Sequence, residues 1–126
     1  MAKRQGRTHL ILPDSHAHPD HSNRRYDWLA GVIDEVKPDV VIDLGDFADM
    51  PSISAWDGSR AVGGGGSNKT LEGARYNADI EVSIDARKRM MASLDGLKKR
   101  PELHWCEGNH EQRIRRVSEH IAELDG

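Results

Sequence analysis

Asp39-Val40-Val41-Ile42-Asp43-Leu44, followed by Gly45-Asp46-Phe47-Ala48-Asp49, is the stretch that decides the fold. Its first six residues centre on the β-branched apolar run Val40-Val41-Ile42, with Pro38 before them and Gly45 after, which predicts a short strand. Upstream, Arg24 to Lys37 carries Trp28, Leu29, Val32, Ile33 and Val36 at spacings that make one helical face. Pro38 ends that helix, because the residue before a proline is pushed out of the helical region. Further back, Thr8 to Leu12 is an apolar run stopped by Pro13, a first strand.

Downstream, Met50 to Thr70 has no period and contains Gly63-Gly64-Gly65-Gly66-Ser67-Asn68. Residues 51–70 therefore read as a flexible Gly-rich loop, whose part from Trp56 to Thr70 is either a lid or a plain connection. Glu72 to Lys99 returns to helical spacing through Ile80, Ile84, Met91 and Leu94, with Gly96 and Pro101 marking its end. Leu103 to Cys106 predicts a third strand. Glu111 to Leu124, with Ile114, Val117, Ile121 and Leu124 on one face, predicts a last helix. The order β-α-β-α-β-α places the chain in the α/β class with a mostly parallel sheet and right-handed crossovers. No internal repeat or boundary divides residues 1–126, which read as a single domain.

Composition narrows the function classes. Leu, Ile, Val and Phe number 25 of 126 residues, charged residues make up 31%, and the mean hydropathy is −0.70. That is little core for the length. No run approaches the ~20 apolar residues of a membrane span, and Leu10-Ile11-Leu12 is too short for a signal-peptide core. One cysteine, Cys106, excludes an internal disulfide framework and suits a reducing cytoplasm, the expected location. In an apolar strand beside Trp105 it reads as a packing residue. A net charge of −3 argues against constitutive polyanion binding. The count of seven histidines is the unusual one.

Each predicted strand runs into a cluster of metal-competent residues: Asp14-Ser15-His16-Ala17-His18, Gly45-Asp46-Phe47-Ala48-Asp49 and Gly108-Asn109-His110-Glu111. In an open α/β sheet the carboxyl ends of parallel strands share one edge, so three sequence-distant clusters converge. Carboxylate, imidazole and amide donors together suit Mn, Fe, Zn or Ni better than calcium or a thiolate site. Asp14 and His16, two apart, are expected to point the same way from an extended strand. Gly45 and Gly108 are expected to allow sharp turns. Taken singly, each cluster is also ordinary turn or capping chemistry; their recurrence at three strand ends is the signal.

These motifs resemble the calcineurin-like metallophosphoesterase superfamily, over roughly residues 8–115. The resemblance implies the first half of a four-layer αββα fold and phosphoester hydrolysis at two divalent ions. By position, Asp14 and His16 correspond to ligands of the first metal, Asp46 to the carboxylate bridging both, and Asn109 to a ligand of the second. His110 corresponds to the histidine that stabilises charge or protonates the leaving oxygen. Asp49 and Glu111 correspond to residues that orient these groups. The family pattern continues with a further metal-binding histidine and a Gly-His-x-His segment, whereas only His120 follows His110 here. The expectation is one well-bound ion and poor turnover for this chain alone. The missing half would then lie in the remainder of a longer chain or come from a partner chain or a second copy, or the chain would be a non-catalytic binding module that keeps the half-fold.

Two further readings concern neighbouring residues. His16-Ala17-His18-Pro19-Asp20-His21 also matches the His-x-His-x-Asp-His motif of metallo-β-lactamases, a less favoured alternative, since only fifteen residues precede His16. Otherwise His18 is a substrate-facing or solvated loop residue, and His21 a solvated one. Basic runs at Arg87-Lys88-Arg89, Lys98-Lys99-Arg100 and Arg113, Arg115, Arg116 allow a nucleic acid substrate without indicating one. Arg113, one helical turn past Asn109-His110, is the best candidate for a phosphate contact.

Overall fold

The computed structural model describes residues 6–53 and 69–118. Most of the Gly-rich stretch, His120 and the predicted end of the last helix lie outside them. The elements are β1 (His9–Leu12), α1 (Arg24–Val36), β2 (Val40–Asp43), α2 (Lys69–Met91), β3 (Glu102–Trp105) and α3 (Gln112–Ser118). Short 3-10 turns at Pro51–Ile53 and Leu94–Gly96 flank α2. The α/β class holds: the strands form one parallel sheet in the order β1-β2-β3.

Three boundaries differ from the sequence reading by more than two residues. The helix starts at Lys69 rather than Glu72 and stops at Met91, where the chain tightens into the turn at Leu94–Gly96. Residues 51–53, expected within the flexible loop, form a 3-10 turn held by Asp79, which accepts the Ser52 N–H at 3.0 Å and its hydroxyl at 2.5 Å. Asp79 is itself buried on α2, so this turn is anchored from the far side of a long connection.

One sheet face makes the core. Leu10, Val41 and Leu103 lie side by side in register. Leu10 and Leu103 pack with Tyr26 and Ile33 of α1 and Ala86 and Met90 of α2. On the opposite face Ile11, Ile42 and His104 form the adjacent row, with Ile11 54% exposed and Leu44, just past β2, 52% exposed. Asn23 fastens α1 to α2, its amide donating to the Val82 carbonyl (3.0 Å) and to Asp85 (2.8 Å).

The buried side of α1 is only partly the one expected. Tyr26, Ala30 and Ile33 are buried and Leu29 is half-buried, whereas Trp28 is 70% exposed and Val32 and Val36 are also exposed. Positions 28, 32 and 36 share a stripe, but at about 100° per residue they lie across the helix from 26 and 30. Packing against α2 selects the stripe that carries Tyr26. Lys37 closes the helix in the left-handed conformation (φ 48°), its N–H reaching the Ile33 carbonyl at 2.9 Å, and the buried Pro38 turns the chain into β2. Among the described residues no helix is long and apolar enough to cross a membrane.

Candidate metal centre

Past the strands, the loops after β1 and β2 remain zipped together. The His16 N–H donates to the Asp46 carbonyl (2.9 Å), Ala17 N–H to Phe47 (2.6 Å), and Asp49 N–H back to Ala17 (3.0 Å), with Ala17 and Ala48 in a parallel bridge. The backbone is tightly contorted here. Asp14 (φ 43°), His16 (φ 49°), Asp46 (φ 55°) and Met50 (φ 55°) all sit in the left-handed region that non-glycine residues avoid. Such strain persists only where surrounding contacts over-determine it, and it concentrates at functional sites. It also replaces the sequence argument for Asp14 and His16. The chain leaves the sheet at Pro13, so the two side chains are aimed by left-handed loop geometry and not by strand alternation.

The glycines act through close approach. Gly45 has φ 101°, and a Cβ there would lie 2.6 Å from the Gly108 nitrogen. A Cβ on Gly108 would run into the Asp46 carboxylate and amide. The ends of β2 and β3 therefore touch backbone to backbone, which only glycine permits on either side. Gly108 is needed for this contact, since its own φ is not positive.

Glu111 grips the same loop. Its Oε2 accepts the N–H groups of Asp46 (2.8 Å) and Gly108 (2.9 Å), and its Oε1 accepts that of Ala48 (3.0 Å). The His110 N–H donates to Asp46 Oδ1 at 2.8 Å, which leaves the other Asp46 oxygen available. His16, Asp46 and His110 thereby offer donor atoms that all lie within 4.8 Å of one another, a group that could hold a metal ion. The two imidazoles pack edge to face at 4.2 Å between centroids.

Asp49 is the hub. Its Oδ1 lies 2.9 Å from His16 Nδ1 and 3.0 Å from His110 Nδ1, and its carbonyl is 2.9 Å from the same His110 nitrogen. With Nδ1 engaged on both rings, Nε2 is the nitrogen each has left for an ion. Carboxylate–histidine pairs of this kind orient metal ligands and make them more basic. Donor chemistry, spacing and fixed tautomers thus fit a divalent cation of the transition series.

The remaining candidates surround this group. Asp14 is exposed and lines one cavity with His16, His18 and Asp49. Asn109 is exposed, and its carbonyl accepts from Arg116 at 3.2 Å. His18 Nδ1 accepts the Asp20 N–H (3.0 Å), which places its proton on Nε2, 3.6 Å from Asp49 Oδ2. Asp20 is 85% exposed in its side chain. Arg113, read from the sequence as a phosphate contact, directs Nη1 to the carbonyls of Asp49 (2.7 Å) and Met50 (3.4 Å), bracing the hub.

Three residues carry weight that the sequence did not signal. Asp43 is buried at the end of β2, and Oδ1 accepts the Gly45 N–H at 2.8 Å. Burial pushes its carboxyl above the ordinary range, and the negative charges of Glu111, Asp14 and Asp46 push the same way against the Gly45 hydrogen bond. Arg25 and Ser15 belong to the cavity wall beside His16. Comparison of the chain with family models, curated proteins and solved structures finds no match.

Proposed function

We propose that the chain is a metal-dependent phosphoesterase built on the first half of a metallophosphoesterase-like fold, acting on a phosphodiester. The observation that carries the reading is the His16–Asp46–His110 group, with both imidazoles turned by one carboxylate, Asp49, at the shared end of three parallel strands. When bound, a divalent ion supplies Lewis acidity and charge neutralisation for phosphoryl oxygens. The chain's own residues supply the rest. His16 Nε2 and the free Asp46 oxygen hold the ion, and His110 Nε2 completes that grip or holds a proton beside the phosphoryl group. Glu111 and Asp49 keep these atoms in place.

The metallo-β-lactamase alternative is less well supported. It needs His18, Asp20 and His21 as ligands, yet His18 Nδ1 is taken by a backbone N–H and Asp20 extends into solvent. Any donors for a second ion would come from outside the described residues, from a partner chain or from a second copy. A non-catalytic module remains the outcome if turnover is absent while the ion binds.

Manganese titration followed by calorimetry, with bis(p-nitrophenyl) phosphate as test substrate, decides the matter. One ion per chain is expected, lost in His16→Ala and Asp46→Ala. His110→Ala separates its two roles: metal affinity falls if Nε2 is a ligand, and turnover alone falls if it holds the proton. Absence of manganese uptake by the unmodified chain would sink the proposal, and two tight ions with rapid turnover would refute the single-ion expectation.

A further inference from the structure

The cavity next to the metal group contains cationic and hydrogen-bonding side chains that no step above uses. It has a volume of about 320 Å³ and is lined by Asp14, Ser15, His16, His18, His21, Arg25 and Asp49. Arg25 is held firmly. One guanidinium nitrogen, Nη2, donates to the His16 carbonyl at 2.5 Å, and the group lies 5.1 Å above the Tyr26 ring. Among the described residues Arg25 makes no ion pair, and its Nε is buried without a hydrogen-bond partner, as is Ser15 Oγ. Buried donors left in this state are rare and need a reason. His18 carries its proton on Nε2, and His21 packs on His18 at 4.9 Å between ring centroids.

We infer that this cavity is an anion subsite in which Arg25, His18 and His21 hold a second phosphate of the substrate, beside the one at the metal group. The inference rests on the phosphoesterase reading and names the substrate class: a phosphodiester flanked by a further phosphate, as along a polynucleotide strand. Geometry separates the two positions. Arg25 grasps His16 by its backbone carbonyl, while the His16 ring turns to Asp49 and the metal group. The two phosphates would thus sit on either side of one residue. Of the two carboxylates on the wall, Asp14 is exposed to solvent and Asp49 is turned to other partners. Asp49 faces the imidazoles of His16, His18 and His110, and an ion at the neighbouring group adds two positive charges.

The test compares two dinucleotides that share one diester and differ by one phosphate: thymidylyl-thymidine and its 5′-phosphorylated form. Their affinities are measured by calorimetry on the manganese-loaded chain, with manganese uptake titrated separately for each variant. The extra phosphate should tighten binding about tenfold, the size of one charge-assisted hydrogen bond. Arg25→Gln should abolish that advantage with manganese uptake preserved, and Arg25→Lys should restore part of it. His21→Ala, at an exposed position, should reduce the advantage and serves if Arg25→Gln fails to fold. Equal affinity of the two dinucleotides, or an advantage that survives both Arg25→Gln and His21→Ala, would overturn the subsite. If the unmodified chain takes up no manganese, the metal proposal fails. The same comparison in EDTA then judges the subsite alone: an Arg25-dependent preference supports it and no preference overturns it.

Discussion

Replacing Glu111 with glutamine tests whether one carboxylate holds the site together. Glu111 accepts three backbone N–H groups from two loops: Asp46 and Gly108 on Oε2, Ala48 on Oε1. Glutamine offers one carbonyl oxygen. If that oxygen takes the two-bond position, its amide nitrogen faces the Ala48 N–H, donor against donor. One charge-assisted bond is lost, and the other two become neutral. With bonds to charged groups at about 1.5–3 kcal/mol and neutral ones near 1 kcal/mol, the loss comes to about 2.5–7 kcal/mol. Urea denaturation monitored by circular dichroism measures it directly. Thermal melting should fall by roughly 10 °C or more, at about 4 °C per kcal/mol. Because the Asp46 amide is one of the three donors, manganese affinity should also drop, by about 10- to 100-fold for a residue that orients a ligand. Stability within ~0.5 kcal/mol of the parent, with metal affinity unchanged, would refute the reasoning and leave the loops held by backbone contacts alone.

Other outcomes follow from the same geometry. Gly108→Ala forces a Cβ into Asp46, so it should cost about 1–3 kcal/mol and weaken metal binding. Gly31→Ala, in mid-helix with open space around it, should instead stabilise by about 0.5–1 kcal/mol, both read by denaturation. Asp79→Ala leaves the Ser52 N–H and hydroxyl without their acceptor and should cost about 1–3 kcal/mol, with looser anchoring of Pro51–Ile53 visible in amide exchange. For Asp43 the carboxyl is raised in the folded chain, so the folded state binds more protons and this group's contribution falls as pH rises from its unfolded to its folded value. Asp43→Asn keeps an acceptor for Gly45 and removes the charge. In EDTA its stability relative to the parent should therefore improve as the pH rises above about 4, and a constant difference would contradict this.

The succession of elements, the parallel sheet and the three polar clusters were legible because their signals are local. β-branched runs at Val40–Ile42, and proline or glycine at 13, 38, 45 and 101, act within a few residues of themselves. The buried side of α1 was not legible. Two apolar stripes compete on that helix, and packing against α2, far along the chain, chooses the one with Tyr26. The bracing role of Arg113 was not legible for a similar reason, since its acceptors, the carbonyls of Asp49 and Met50, lie 64 and 63 positions away.

By itself the sequence determined that the chain is α/β and that aspartate, histidine and asparagine gather where strands end, since composition and punctuation carry that information residue by residue. Only the tertiary structure decided how those residues meet. Asp49 joins His16, 33 positions away, to His110, 61 positions away, and Glu111 reaches across 65 to hold the Asp46 amide. Such contacts depend on left-handed turns at Asp14, His16 and Asp46 and on two glycines in backbone contact. Those conformations are unfavourable for the isolated segments, and they are stable only when each loop is held by the others.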